Sequence, residues 1–314
     1  MLARFIGFVA SPRPDRLHEK PTPFLGGLAL VLALAGGLVA AGRLTGPTDG
    51  APLGLANAPT VTLLFVLATF AFLLGLVDDW RTLSPPAKLS GQVALAVAFL
   101  SVAGTGPFDS PVLDGVLGII WIAGLMNACN FLDNMDGALG GAALPAAVGL
   151  GLLSVRPDTA DLGMILGAAI AGFLAWNRPP ARIFLGDSGS LLIGGALALT
   201  GWTIASESDA LAGWLALPVI VAWPIFDMTF VTVTRLRRGQ SPWVGGRDHT
   251  THRLATRLGS AIRAFFVVLL VSALAATLGV MSGRAGTTAA AFLLAGAIVA
   301  FGAAGVALSR VGVR

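Results

Sequence analysis

The sequence predicts an all-α polytopic membrane protein that crosses the bilayer about ten times. Of its 314 residues, 55% are hydrophobic and only 11% are charged, whereas a soluble domain carries about 25% charged residues. A spanning helix needs ~20 largely apolar residues, with ~17 as the usual lower limit. We count ten apolar runs close to or above that limit, and therefore expect one integral-membrane domain over residues 1–314.

The predicted spans follow one another with short polar connections. They cover residues 24–42, 58–77, 89–105, 115–131, 138–155, 162–177, 188–205, 210–234, 263–282 and 286–308. Proline and glycine occupy most of the gaps, as expected where helices end. The third and sixth runs are short and the least clearly defined.

The distribution of basic residues predicts the orientation. Ten spans place both termini on one side, and 17 of the 20 Lys and Arg residues then lie on that side, leaving only Arg43, Arg156 and Arg284 opposite. Because cytoplasmic loops attract Lys and Arg, we expect both termini in the cytoplasm. The net charge of +4 is thus explained by topology, with a secondary attraction for anionic lipid or phosphate and no nucleic-acid partner. The single cysteine, Cys129, excludes an intramolecular disulfide framework.

Polar side chains cluster on the predicted cytoplasmic side, beginning with Asp78 and Asp79 at the end of the second span. The macrodipole disfavours negative charge at a helix C-terminus, and charge in a membrane is costly and usually functional. These two costs favour metal or phosphate chemistry over the alternative, a helix that simply ends at the interface.

The segment NACNFLDNMDGALGG follows the fourth span and interrupts two apolar runs. Asn127, Asn130 and Asn134 would share one face of a continuing helix, and Asp133 and Asp136 flank that face. Asparagine alone would suffice for hydrogen bonds between helices. The added carboxylates indicate a polar ligand or a cation.

Two further aspartates belong to distinct settings. In FLGDSGS, Asp187 lies among glycines and hydroxyls at a predicted helix start, where backbone N–H groups favour anions, although an aspartate there is equally an N-cap. Asp227 lies in the eighth span beside Pro224. We interpret Asp227 as a polar residue satisfied by its neighbours.

The cytoplasmic loop after the eighth span carries His249 and His252, three residues apart, with Arg247 and Arg253 beside them. A structural zinc site needs four ligands, and no third histidine or cysteine lies near. The segment is therefore more typical of an anion-binding loop, or alternatively of an ordinary basic loop. Together with the carboxylates, which suit Mg²⁺, it predicts phosphoryl transfer at the membrane face.

Five segments in order carry a resemblance to a known family: HEKPTPFLGG, GLVDDWRTLSPPAKL, NACNFLDNMDGALGG, WNRPPARIFLGDSGSLLIGG and DHTTHRL, from residue 18 to about 254. The chain resembles the polyprenyl-phosphate N-acetylhexosamine-1-phosphate transferases of glycosyltransferase family 4. The resemblance implies transfer of the sugar phosphate from a UDP-N-acetylhexosamine to polyprenyl (undecaprenyl) phosphate, with release of UMP, to start a cell-envelope polysaccharide. It implies Mg²⁺, with Mn²⁺ as the alternative ion, and a cytoplasmic-face cleft in the bacterial inner membrane. Its other implied partner is membrane lipid, and it is compatible with a homodimer.

The resemblance also implies roles for individual residues. Asp78 and Asp79 match the catalytic pair, which acts either on the lipid phosphate or on the sugar nucleotide, and Asp187 with Asp79 matches the metal site. The remaining matches contact substrate: Asn130, Asp133, Asp136, Asn177, Phe184, Lys20, Lys88, His249, His252 and Arg253.

The chain departs from the family in two places. Thr251 replaces the middle histidine of a His-x-His-His pattern, and the following His-Arg-Leu favours the UDP-GlcNAc branch over the MurNAc-pentapeptide transferases. The family usually has a further spanning helix before this point, but only about ten residues precede Ser11, too few to span. We therefore expect that helix to be either truncated or absent in this sequence. The alternatives are a MurNAc-pentapeptide transferase and, in another class, a transporter of an anionic solute, whose buried charges should lie near the midplane.

Overall fold

The protein is a bundle of α-helices, seen in a computed structural model that describes residues 9–10, 22–23, 25–44, 60–103, 106–207, 211–243 and 245–312. In this part, the two-residue strands Val9–Ala10 and Thr22–Pro23 pair antiparallel. All other regular structure described is helical. In chain order the helices are α1 (Gly26–Ala40), α2 (Thr60–Arg81), α3 (Pro85–Leu100), α4 (Pro111–Leu132), α5 (Ala138–Leu153), α6 (Pro157–Asn177), α7 (Gly186–Ser206), α8 (Leu211–Ile220), α9 (Ala222–Arg237), α10 (Thr250–Leu258), α11 (Ala261–Ala285) and α12 (Thr287–Ser309).

Each predicted span overlaps one helix or, for the eighth, the pair α8–α9. Among the described residues, six helices are long and apolar enough to cross a membrane, and the bent pair α8–α9 is a seventh candidate. The six are α2, α4, α6, α7, α11 and α12. Helices α1 and α5 are apolar but shorter. The chain is therefore a multi-pass membrane protein, while the count of ten and the side of the termini stay predictions.

The eighth predicted span, 210–234, is wrong as a single straight helix. The chain bends by 65° between α8 and α9. Proline has no N–H, and its ring clashes with the carbonyl four residues earlier; for Pro224 that carbonyl belongs to Ile220, the last residue of α8. The break thus follows from Pro224, which brings Asp227 into the first turns of a new helix.

The predicted loop 235–262 also contains a helix that the apolar pattern does not predict. The nine-residue helix α10 begins after His249 and ends at Gly259, which has a left-handed φ of 65°. Apolar length predicts spanning helices only, whereas α10 is short and polar. As a result His252 lies on a helix and His249 at its N-cap.

Helix α7 lies at the centre of the bundle, and 94% of its 18-residue apolar stretch is buried. Helices α2 and α4 pack against it closely because glycines remove side-chain bulk at the crossings. A Cβ on Gly75 of α2 would collide with the backbone of Asp187, and one on Gly194 would lie 2.7 Å from the Cα of Met126. The N-terminus of α7 is thereby held against the C-terminal end of α2. By contrast, only 6% of the 18-residue apolar stretch of α12 is buried.

Candidate active site

The first contact of the site joins the end of α2 to the start of α7. Asp79 accepts hydrogen bonds from the backbone N–H groups of Asp187 at 2.8 Å and Ser188 at 3.0 Å. The first N–H groups of a helix have no partner within it, so a carboxylate from elsewhere can cap them. Gly186 permits the approach, since a Cβ there would lie 2.8 Å from a carboxylate oxygen of Asp79. The predicted helix start at FLGDSGS is confirmed, and its cap is Asp79.

Lys88 lies between two of the predicted acidic residues. Its Nζ forms an ion pair with Asp78 and another with Asp187 at 2.7 Å. Asp78 also accepts a hydrogen bond from the N–H of Leu83 at 2.5 Å. Asp78, Asp187 and Lys88, from three different helices, are therefore in direct contact.

Asn130 completes this acidic cluster from α4. Its Nδ2 donates to Asp187 Oδ1 at 2.8 Å and lies 2.9 Å from the hydroxyl of Ser190. The predicted site residues Asp78, Asp79, Lys88, Asn130 and Asp187 thus form one connected group, which we call the acidic cluster. Its members come from α2, α3, α4 and α7.

The predicted asparagine stripe is wrong as a single helical face. Helix α4 ends at Leu132, so Asn134 lies in the following turn. Asn127 donates to Gln92 Oε1 on α3 at 2.6 Å, whereas Asn134 accepts from the Thr251 hydroxyl at 2.6 Å. Of the three, Asn130 is the one that belongs to the acidic cluster.

Asp136 and Asn177 connect the loop after α4 to the loop after α6. Asp136 accepts from the N–H of Ala181 at 2.8 Å. Asn177 accepts from the N–H of Gly137 at 3.0 Å and donates to the carbonyl of Ile183 at 2.9 Å. These contacts hold the segments on either side of the predicted nucleotide pocket; contact with a nucleotide stays a prediction.

For three further residues, the predicted contact with substrate stays a prediction. The N–H of Asp133 ends α4 by donating to the carbonyl of Cys129 at 3.1 Å, and its side chain is partly exposed. The carbonyl of Phe184 accepts from the N–H of Gly26 at 3.0 Å. Lys20 lies outside the described residues.

The two histidines of the loop are buried and lie close together, with ring centroids 6.1 Å apart. His249 Nδ1 lies 2.7 Å from Asp227 Oδ2. Burial, reinforced by the nearby His249, lowers the pKa of His252 to about 4. His252 is therefore neutral at pH 7 in this structure, and its contact with substrate stays a prediction.

Arg253 makes structural contacts in the described residues. Its guanidinium donates to the carbonyl of Leu308 at 3.3 Å and to that of Val311, both at the end of α12. It also donates to the carbonyl of Asp248 at 3.1 Å and lies 5.3 Å from the ring centroid of Phe230. These bonds tie α10 to α12, and a contact with substrate stays a prediction.

The acidic cluster has a composition that suits a divalent cation. The described residues contain no group of three or more acidic, histidine or cysteine side chains arranged around one metal position. Mg²⁺, however, commonly uses one or two carboxylates with water and phosphate oxygens. The Lys88 ammonium between Asp78 and Asp187 shows that these carboxylates favour positive charge between them, so the residues present fit the predicted ion.

Two residues of the site are not among the sequence predictions. Ser190 lies three residues after Asp187, on the same helical face, and bonds Asn130; that spacing is a signal the sequence carries. Gln92 is a fully buried amide in the third span, where an uncharged polar residue in an apolar run is the signal.

Comparison with known proteins places the chain among membrane sugar-phosphate transferases. The profile of glycosyl transferase family 4 matches residues 61–205, which include the whole acidic cluster. Decaprenyl-phosphate N-acetylglucosaminephosphotransferase of Mycobacterium tuberculosis is 31% identical over 291 residues, covering 81% of this chain and 70% of the relative. Undecaprenyl-phosphate α-N-acetylglucosaminyl 1-phosphate transferase of Thermotoga maritima is 30% identical over 264 residues, covering 82% and 77%.

A phospho-N-acetylmuramoyl-pentapeptide-transferase of a Synechococcus strain is also similar, with 36% identity over 215 residues, 61% of this chain and 59% of the relative. The similarity therefore extends to both branches that the sequence suggests. Given these matches, and an acidic cluster inside the matched region, the chain belongs to glycosyl transferase family 4.

Proposed function

We propose that this protein transfers N-acetylhexosamine 1-phosphate, with N-acetylglucosamine as the sugar, from a UDP-sugar to polyprenyl phosphate and releases UMP. The observation that carries the proposal is the acidic cluster, in which Lys88 pairs with Asp78 and Asp187. The names of the relatives from M. tuberculosis and T. maritima support the donor and the class of lipid acceptor.

The cluster divides the chemistry between its members. Both oxygens of Asp79 accept backbone N–H groups, so we assign Asp79 to holding the N-terminus of α7. Asp78 then has the acid–base role toward the lipid phosphate, and Lys88 offsets negative charge on the phosphates. Asp187, whose backbone N–H is bonded to Asp79, would hold Mg²⁺ together with Asp79. The ion supplies further charge neutralisation when bound.

The proposal includes a topology. We place ten spans in the bacterial inner membrane, with both termini and the acidic cluster on the cytoplasmic side, where 17 of the 20 basic residues are expected. The UDP-sugar then reaches the cleft from the cytoplasm, and the lipid phosphate reaches it from the inner leaflet.

The alternatives have weaker support. The MurNAc-pentapeptide transferase relative covers 61% of the chain, whereas the two N-acetylglucosamine relatives cover 81% and 82%. A transporter needs a polar path near the membrane midplane. In the described residues the acidic cluster instead forms at one end of the bundle, where α2 ends and α7 begins.

The test uses the full chain in lipid nanodiscs with undecaprenyl or decaprenyl phosphate. UDP-GlcNAc, UDP-GalNAc and UDP-MurNAc-pentapeptide are supplied separately with Mg²⁺, Mn²⁺ or a chelator, and UMP release is measured. We expect UMP only with lipid phosphate, a divalent ion and UDP-GlcNAc. UMP from the MurNAc-pentapeptide donor alone would establish the alternative branch, and no UMP from any donor would overturn the proposal.

Asp187→Asn provides the matched loss-of-function variant. We expect it to abolish UMP release, while Asp161→Asn, at an aspartate paired with Arg43 at the opposite end of the bundle, leaves the rate unchanged. Equal rates for both variants would contradict the assignment of the acidic cluster as the active site.

A further inference from the structure

A second polar network connects α9, the start of α10 and the turn after α4, and it centres on Asp227. This carboxylate has 0% of its surface exposed. Its Oδ1 accepts from the N–H of Thr250 at 2.8 Å and from the Thr250 hydroxyl at 2.5 Å. Its Oδ2 lies 2.7 Å from His249 Nδ1. Asp227 on α9 therefore contacts His249, the N-cap of α10, and Thr250, its first residue.

Capping explains only part of this geometry. The first N–H groups of α10 need acceptors, and the positive end of its macrodipole favours a carboxylate. Oδ1 satisfies that requirement through Thr250 alone. Oδ2 is directed at the imidazole of His249, a contact that a helix cap does not need.

That contact selects the tautomer of His249. An ionised carboxylate only accepts hydrogen bonds, and a neutral imidazole carries its proton on one nitrogen. Opposite Oδ2 the proton belongs on Nδ1, so Nε2 keeps the lone pair. The hydrogen bond made by one ring nitrogen commonly decides which form the other takes.

The network also reaches the turn that follows α4. Asn134 Oδ1 accepts from the Thr251 hydroxyl at 2.6 Å, and Asn134 Nδ2 lies 3.5 Å from Asp227 Oδ2. Thr251 stands where the resemblance has a histidine. The histidine loop is therefore attached to the segment between Asp133 and Asp136, both predicted to contact the nucleotide.

We propose that Asp227 is a positioning residue that holds His249 in its Nδ1-protonated tautomer and leaves the Nε2 lone pair free to accept a proton or a hydrogen-bond donor of the substrate. The proposal rests on the proposed function for the identity of the substrate. Asp227 itself acts through His249 and through the N-terminus of α10, without touching substrate.

The tautomer is measured directly, without any activity. The chain has three histidines, His18, His249 and His252, so selective ¹⁵N-histidine labelling in nanodiscs gives few NMR signals, and His249→Gln assigns one of them. We expect the wild-type His249 signal to report a proton on Nδ1 at pH 8. A proton on Nε2 in the wild type would overturn the proposal, and this result needs no variant to fold.

Asp227→Asn tests the cause of the tautomer. The carboxamide oxygen can still accept from Thr250, but the amide nitrogen then donates to His249 Nδ1 and moves the ring proton to Nε2. Asp114→Asn is the matched control, because Asp114 is also a buried aspartate (5% exposed) that accepts backbone N–H groups, at the other end of α4. An unchanged His249 tautomer in Asp227→Asn would contradict the proposal.

The kinetic readout separates positioning from simple stability. We expect Asp227→Asn to lower kcat on the order of 10-fold or more, with a much smaller change in KM for the UDP-sugar, as for residues that orient a ligand from behind. Asp114→Asn should lower the melting temperature without changing kcat. A variant with reduced melting temperature but wild-type kcat would reduce Asp227 to a helix cap. If the wild type releases no UMP, the proposed function fails, while the NMR result still decides the tautomer.

Discussion

The side chain of Asp79 accepts a hydrogen bond from the backbone N–H of Asp187 at 2.8 Å, although 108 residues separate the two aspartates. A second bond, to the N–H of Ser188 at 3.0 Å, uses the other oxygen. The carboxylate at the end of α2 is therefore the cap of α7. Asp79 therefore has a structural role in addition to its predicted catalytic role.

Asp79→Ala should lower stability as well as activity. Loss of a capping side chain costs about 0.5–2 kcal/mol, so we expect a lower melting temperature and no UMP release. Asp161→Ala, in a partly exposed ion pair with Arg43, is the control and should change melting little, since such pairs contribute about 1 kcal/mol or less. An Asp79→Ala protein that melts like the wild type would contradict the capping role.

Replacement of Lys88 should change the requirement for the metal ion. Its ammonium pairs with both Asp78 and Asp187, so Lys88→Gln leaves two carboxylates without a shared cation. We expect half-saturation at a lower Mg²⁺ concentration, together with a kcat reduced at least ~10-fold, because charge on the phosphates is less well offset. The measurement is UMP release against Mg²⁺ concentration. A higher Mg²⁺ requirement would mean that Lys88 and the ion do not share these carboxylates.

Gly186→Ala should be far more harmful than its size suggests. Gly186 has a φ of 73°, which is unfavourable for a residue with a Cβ, and that atom would lie 2.8 Å from Asp79 Oδ2. Backbone strain of this kind costs about 1–3 kcal/mol, so we expect lower melting and loss of activity. Gly172→Ala on α6 is the control, because open space surrounds it, and it should be neutral or stabilising. Equal melting of the two variants would contradict the predicted strain.

Stability should depend on pH through His252. Its pKa of about 4 in the folded state lies below that of ~6.5 for a free histidine, so the unfolded chain binds the proton more readily. The contribution is fully present above pH ~6.5 and is lost as the pH falls toward 4, by about 3 kcal/mol at most. Melting from pH 7.5 to 4.5 should show this slope in the wild type and a weaker one in His252→Leu. Arg257→Gln, at an exposed position on the same helix, should keep the wild-type slope.

Asp248 does not interfere with that measurement. Hydrogen bonds and charge from Arg235 and Arg238 outweigh the opposing effect of burial and lower the pKa of Asp248 to about 2. Its stabilising contribution is present above pH ~3.9 and is lost only as the pH falls below that value. The two windows are therefore separate. An identical slope in His252→Leu and the wild type would contradict the assignment to His252.

Arg253 should prove more important for stability than for substrate affinity. Its guanidinium donates to the carbonyls of Leu308 and Val311. Arg253→Ala removes this donor from the Val311 carbonyl, whereas the Leu308 carbonyl keeps its bond from the N–H of Val311. Buried groups left unpaired cost about 1–3 kcal/mol each, and we expect lower melting with an unchanged KM for the UDP-sugar. A raised KM with normal melting would instead support the predicted contact with substrate.

Much of the helical architecture is predictable because it depends on local chemistry. Every predicted span was identified from a run of apolar residues, and each run overlaps a helix of the structure. The break in 210–234 has a local cause in Pro224, but the hydropathy of the run conceals it. The polar helix α10 was not predictable from apolar length at all. Its first residues depend on Asp227, 23 residues before Thr250 in the chain.

The sequence predicts which residue types form the site, but their arrangement in space depends on folding. By itself the sequence determined that the chain is a multi-pass membrane protein, where its apolar helices lie and to which family its motifs belong, because these follow from composition and the local order of residues. Tertiary structure alone decided that Asp79 caps α7, that Lys88 joins Asp78 to Asp187, and that Asn127 and Asn134 have different partners. Hydrogen bonds and ion pairs require atoms within about 3–4 Å, and side chains far apart in the chain meet at that distance only through the packing of whole helices.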